Sequence, residues 1–255
     1  MRGDLVFPAA TLLGFLLTLV RMAGVFVFVP IPGVTSFLHP ARIMLTLAVT
    51  IALFPQWPQV TDPSVGSFVM WIMLESALGI GIGLTVAFLI ESFAFGAQIM
   101  GLQAGYAFAS TIDPTTQADS SVLVIFAQLA AGLLFFTTGL DRDVIRIFAR
   151  SLEAWPAGSF VLTQGTAEKV LAVGSTMFST GLRLALPIVA VLLMVDISLA
   201  LLGRVNAQLQ LLTIAFPIKM LVGLVLLSWL TLLLPVLFRA DSGTTFAAAR
   251  ALISR

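Results

Sequence analysis

Long uninterrupted apolar runs dominate this chain, and in a bilayer such a run leaves its backbone two solutions, an α-helix or a closed β-barrel. The run lengths here select helices. Leu5 to Val29 carries only Arg21 and two threonines among its 25 residues, about 37 Å of helix against a hydrocarbon core of about 30 Å. Ser121 to Leu140 adds 20 residues with Gln128 as the one strongly polar side chain. Ser67 to Phe93 continues through Gly96 to Phe108 without a strong break, longer than a bilayer requires, so part of it must pack on protein. Arg42 to Phe54, stopped by Pro55 and Pro58, is too short to cross alone and reads as half of a hairpin. Thr166 to Leu202 encloses Pro187, and Leu209 to Phe238 encloses Pro217 and Pro235. Each proline removes a donor and crowds the preceding turn, which predicts kinks or breaks there. Hydrophobic residues make up 59% of the 255 and charged ones 10%, with a mean hydropathy of +1.09, far from the balance of a soluble domain. The expected fold is an all-α membrane protein of kinked helical hairpins forming one unit over residues 1–255, with N-terminal hairpins over 1–155 and C-terminal hairpins over 160–240. Pro156 to Ser159 reads as the linker between them.

The same composition removes most chemistries. Thirteen Lys and Arg against twelve Asp and Glu give a net charge of +1, so there is no basic field for nucleic acid. With no cysteine and the single His39, thiolate catalysis, disulfides and Cys- or His-based metal sites drop out, and no metal or cofactor is expected. No phosphate loop ending in Lys-Ser or Lys-Thr, no GxSxG and no HExxH is present. Gly79 to Gly83 mimics part of a dinucleotide loop but lies inside an apolar helix, where packing is the better account. The chain does not read as an enzyme.

Two kinds of residue stand out inside the apolar runs. Gly79 with Gly83, and Gly101 with Gly105, are glycine pairs at a spacing of four, which puts both members on one helix face and lets another backbone approach. Six ionisable side chains, Arg21, Glu75, Glu91, Arg183, Asp196 and Lys219, lie in or at the ends of these runs with balanced signs. Each costs at least about 2.5 to 3.5 kcal/mol at the bilayer centre. Pairing between segments or with other subunits, a proton or ion path, and snorkelling to the interface are the three ways to carry them; Arg204, beside long apolar runs, raises the same question. From Asp143 to Trp155 the period changes. Val144, Ile145, Phe148, Leu152 and Trp155 share one face and Arg142, Arg146, Arg150 and Glu153 the other, an amphipathic helix suited to anionic headgroups or an acidic partner. The most polar window is Ser110-Thr-Ile-Asp-Pro-Thr-Thr-Gln-Ala-Asp-Ser-Ser121. Taken alone it favours a solvated loop over polar backbone held at membrane depth.

Several blocks carry a family resemblance. Leu19-Val-Arg-Met-Ala-Gly-Val-Phe26, Pro30, His39-Pro-Ala-Arg-Ile-Met-Leu45 and Pro55 form the first. Gly96-Ala-Gln-Ile-Met-Gly-Leu-Gln-Ala-Gly-Tyr-Ala-Phe-Ala-Ser-Thr-Ile-Asp-Pro114 is the second. Leu186-Pro-Ile-Val189, Leu201-Leu-Gly-Arg-Val-Asn-Ala-Gln-Leu209 and Ala215-Phe-Pro-Ile-Lys-Met220 are the third. Together they resemble, in order and across almost the whole chain, the FliR/SctT family of type III export gate subunits. Thr138-Gly-Leu-Asp141 departs from the Asn-Gly-His common in the family, and Asn206-Ala-Gln208 from its Ala-Pro-Gln. The resemblance implies a bacterial inner-membrane protein of the flagellar basal body, assembled with FliP-like and FliQ-like subunits around a pore, met by an FlhB-like switch protein, bordered by membrane lipid and traversed by unfolded export substrates. It also implies that hydropathy spans need not be true bilayer crossings. It turns the polar window into a pore plug over roughly residues 106–121, with Tyr106, Ser110, Thr111, Asp113, Pro114, Thr115, Thr116, Gln117, Asp119 and Ser120 as its residues, and Met100 as an adaptable neighbour. A virulence-type gate subunit is the near alternative. The rival of another class is a secondary transporter built on Arg183, Asp196 and Glu75.

Overall fold

Each apolar run becomes a helix, and all but the last end close to their expected limits. A computed structural model describes residues 9–30, 40–58, 60, 64–106, 122–205 and 211–253. Among the described residues the protein is all-α, with no strand. The helices are α1 (Ala9–Phe28), α2 (Pro40–Ala52), α3 (Val65–Ala104), α4 (Val122–Thr137), α5 (Leu140–Ala154), α6 (Gln164–Val205) and α7 (Leu211–Ile253), with a 3-10 turn over Phe54–Gln56 after α2. α1, α3, α6 and α7 are each long and apolar enough to cross a membrane, and α4 with α5 forms a bent pair that passes the same test jointly.

The prolines do not break their helices. Pro187 lies inside α6, and Pro217 and Pro235 inside α7. One missing donor is a small loss in a helix of 42 or 43 residues, and in apolar surroundings the helix remains the best way to satisfy every other backbone group. The segment after Arg239, which offered no recognisable domain, continues α7 to Ile253. In α5 the buried face is Val144, Ile147, Phe148, Ser151 and Leu152, the i, i+3, i+4, i+7, i+8 pattern of a helix stripe, while Ile145 is exposed.

The chain forms two compact units, one from residues 1–88, 135–174 and 243–255, the other from 89–134 and 175–242. In the first, Leu17, Met22 and Val25 of α1 are buried together with Leu78, Ile82 and Val86 of α3 and Phe148 of α5. What lets α1 and α3 meet is the absence of side chains. A Cβ on Gly79 would overlap the carbonyl oxygen of Arg21, one on Gly83 would sit 2.8 Å from that of Val25, and one on Gly24 would sit 2.8 Å from the Ile80 nitrogen. Gly79 and Gly83 therefore face α1, with Gly24 as the reciprocal glycine. The α1–α2 hairpin is fastened by Arg42, whose guanidinium donates to the carbonyls of Phe26, Val27 (2.7 Å) and Val29 (3.0 Å) at the end of α1. Those carbonyls have no intrahelical partner, so one cation closes a helix end inside the hairpin.

In the second unit Ala97, Met100 and Ala104 of α3 pack with Leu123 and Ala127 of α4, Ala185, Ile188 and Leu192 of α6, and Leu230 of α7. Met100 is a core residue here. Gly96 and Gly181 bring α3 and α6 together, a Cβ on the first falling 3.0 Å from the Gly181 carbonyl and one on the second 2.7 Å from that of Ser92. Gly101 and Gly105 differ from the packing pair expected of them. Gly101 is buried within α3, but Gly105 has a φ of 87° and ends the helix. Its amide donates to Leu102 O (3.2 Å) and the Tyr106 amide donates to Gly101 O (3.0 Å), the paired bonds that close a helix on a left-handed glycine.

Overpacking a tight crossing costs about 1–3 kcal/mol and more where backbone must move. Gly79→Leu is expected to lower the unfolding midpoint of the detergent-solubilised protein, whereas Gly132→Ala, whose Cβ meets nothing within 4 Å, leaves it unchanged or slightly raised; thermal unfolding of both variants beside the parent checks the contrast.

Candidate functional site

Arg21 and Glu75 are both fully buried, an arrangement that a single charge in an apolar core could not sustain. The Arg21 Nε donates to Glu75 Oε2. Its Nη1 donates to the Ser151 carbonyl at 2.9 Å and lies 3.3 Å from the Ser151 hydroxyl, and its Nη2 donates to the Trp155 carbonyl at 2.9 Å. The second carboxylate oxygen, Glu75 Oε1, accepts from the Gly158 amide at 2.8 Å. One ion pair thus joins α1 to α3, caps the C-terminal end of α5 and pins the turn that follows it. A cation at a helix C-terminus adds to the favourable field there. Gly158, with a φ of 89°, reaches Glu75 because only glycine takes that backbone conformation freely. Pro156 to Ser159 is in consequence an anchored turn inside the first unit. Buried ion pairs repay their desolvation only when the remaining donors and acceptors are satisfied, and here they are.

A second cluster lies in the other unit and is wetter. Lys219 Nζ of α7 is 2.9 Å from Asp196 Oδ1 and 3.0 Å from Oδ2, with the lysine side chain 15% and the aspartate 38% exposed. Gln103 of α3 donates to the same Oδ2 at 3.1 Å. Three residues further on, the Tyr106 hydroxyl donates to the Met220 carbonyl at 3.2 Å, and burial pushes its own ionisation upward. Tyr106 is the first of the expected plug residues. Ser110, Thr111, Asp113, Pro114, Thr115, Thr116, Gln117, Asp119 and Ser120 lie outside the described residues.

The remaining charges fall elsewhere. Glu91 accepts from the exposed Gln128 at 3.3 Å. Arg183 and Arg204 are both exposed on α6. Of the three residues of the transporter reading, Glu75 pairs with Arg21 in the first unit and Asp196 with Lys219 in the second. Among the described residues no group of histidine and acidic side chains is placed to hold a metal ion. What these clusters do chemically is fix helices to one another.

Sequence reasoning missed several participants. Arg42 stands at the start of an apolar run, where a charge signals a boundary and not a donor to α1. Gly24, across from Gly79 and Gly83, has no small partner at a spacing of four, and Gly158 looked like a linker residue. Asp241, in the segment past Arg239, accepts from Thr180 Oγ1 at 3.1 Å and from Ser92 Oγ at 3.4 Å, tying α7 to α6 and α3. The one advance signal for it was an acidic residue within reach of an apolar run.

Residues 12–243 match the family described as bacterial export proteins, family 1. The chain is 30% identical over 211 residues to the flagellar biosynthetic protein FliR of Escherichia coli strain K12, covering 82% of this chain and 81% of that one. It is 29% identical to the FliR of Pectobacterium carotovorum, over 85% of this chain and 83% of the relative. The FliR of Bacillus subtilis matches at 23% identity over 87% and 85%.

Removing one partner of a buried pair strands the other charge, at a cost of about 3–5 kcal/mol, while replacing both with apolar residues is often neutral. Arg21→Met is expected to destabilise the protein by that order and Arg21→Met with Glu75→Leu to restore much of it. Lys219→Met, at a partly exposed pair, should cost about 1 kcal/mol or less. Chemical denaturation of the three variants in detergent measures all of these differences.

Proposed function

The chain belongs to the bacterial export proteins, family 1, and from that membership we propose that it is a structural and gating subunit of a flagellar-type III export channel in the bacterial inner membrane, at the flagellar basal body. The observation that carries this reading is the family match from residue 12 to residue 243, through relatives named flagellar biosynthetic proteins. Those names favour the flagellar reading over the virulence-type one. The geometry agrees in character: its buried charges join α1, α3, α5 and the turn after α5, and a partly exposed pair joins α6 to α7, which suits a scaffold better than a catalyst.

In this proposal FliP-like and FliQ-like subunits complete a pore around the chain, an FlhB-like switch protein docks on the assembly, and unfolded flagellar proteins pass through it. Residues 106–121 act as the plug. Two fixed points support a plug rooted here: α3 ends before Gly105 with the Gly101 and Leu102 carbonyls bonded by the amides that follow, and Tyr106 is held by Met220 O and the core of its unit. A segment rich in polar side chains and tied down at its root can block a narrow channel through hydrogen bonds and yield to an entering substrate.

Deleting Thr111 to Ser120 is expected to leave co-assembly with FliP-like and FliQ-like subunits intact and to raise ion conductance of the assembled complex in planar bilayers well above that of the parent complex. Parent-level conductance in an assembled, loop-deleted complex would refute the plug.

A further inference from the structure

The end of α3 is fastened to its neighbours at successive residues, all within the second unit. Gln103 donates to Asp196 of α6 at 3.1 Å. Ala104 fits a notch in α7 at Gly223, where an added Cβ would fall 3.0 Å from the Ala104 Cβ and 3.9 Å from the Tyr106 ring. Between Ala104 and Tyr106 the helix stops, because the left-handed φ of 87° at Gly105 turns the chain off the helix axis. Residues beyond Gly105 are therefore no longer carried by the hydrogen-bond ladder of α3. The Tyr106 side chain supplies a new attachment, with its ring packed against the core of the unit and its hydroxyl donating to the Met220 carbonyl of α7 at 3.2 Å.

We infer that Tyr106 is a positioning residue for the gate, its hydroxyl tying the start of residues 107–121 to α7 at Met220 and so setting where the plug leaves α3. The chemistry of the bond suits that task. Met220 lies inside α7, so its carbonyl already takes the helical bond from the residue four further on, and Tyr106 uses the second lone pair. At 3.2 Å the bond is longer than most between two oxygens. Breaking it leaves the carbonyl bonded and strands no charge, whereas parting Arg21 from Glu75 would strand two. A contact of this kind holds a segment in place and releases it at small cost. The consequence for conductance rests on the plug reading; the contact itself is a property of this chain alone.

Tyr106 is the only tyrosine in the sequence, so a spectrophotometric titration of the chain alone in nanodiscs reads this one phenol. It is expected to ionise above the ordinary value of about 10, since burial and donation to a carbonyl both favour the neutral form. Gly223→Leu, which fills the notch and pushes the ring from Met220, should bring it back towards that value. In the complex with FliP-like and FliQ-like subunits, Tyr106→Phe keeps the ring and removes only the hydroxyl. It is expected to leave complex yield and unfolding midpoint at parent level and to raise ion conductance of the closed channel in planar bilayers about two- to fivefold, the weight of one weak neutral hydrogen bond. Parent-level conductance from Tyr106→Phe, beside a leak from the variant lacking Thr111 to Ser120, would overturn the positioning role and leave the plug standing. Parent-level conductance from both would overturn the plug and the positioning role with it. A phenol that ionises at its ordinary value, unmoved by Gly223→Leu, would overturn the contact itself.

Discussion

The first unit depends on a single buried ion pair. Arg21 and Glu75 sit where α1 and α3 cross at backbone distance, a crossing made possible by Gly24, Gly79 and Gly83. Each charge would be prohibitive alone. Together, with Ser151 O, Trp155 O and the Gly158 amide taking the remaining donors and acceptors, they convert that cost into a geometric demand: α1, α3, the end of α5 and the turn at Gly158 must all arrive at one point. An apolar core tolerates sliding and repacking of its helices. A fully satisfied buried pair fixes which helix meets which, and this is the service it supplies here.

The second unit is held on a different footing. Its polar cluster, Gln103, Asp196 and Lys219, is partly open to its surroundings, so water screens the pair and its loss costs less. This softer cluster lies on α3 just before the helix ends at Gly105, with Tyr106 bonded to α7 one residue on. In the proposed export channel, the fully buried pair belongs to the frame and the more open one neighbours the root of the proposed plug.

How far the chain is legible from its residues follows from what each kind of residue signals. Apolar run length placed most helix limits within a few residues, because in an apolar environment the backbone has no competing way to bond, but it missed the continuation of α7 from Arg239 to Ile253. Glycines at a spacing of four pointed to the α1 crossing at Gly79 and Gly83, yet the same spacing misread Gly105, whose role is a φ of 87° at a helix end and not a face. Charge balance announced that pairs exist but could not assign them, since Arg21 meets Glu75 across 54 positions and Lys219 meets Asp196 across 23. The prolines of α6 and α7 lie inside continuous helices, because their local penalty is real and the long helix on either side outweighs it. Arg42 and Asp241 were overlooked because both lie at the margins of apolar runs, where a charge looks like a boundary. The expected plug residues from Ser110 to Ser120 lie outside the described residues, and their role rests on the family and on how their root is anchored.

The native mass of the protein in mild detergent, expressed alone and together with FliP-like and FliQ-like subunits, tests most directly the proposal that this chain is one part of a larger helical assembly. A single copy of the chain within a much larger, stable co-complex is the predicted result. A monodisperse monomer or homodimer whose mass is indifferent to those subunits would contradict it.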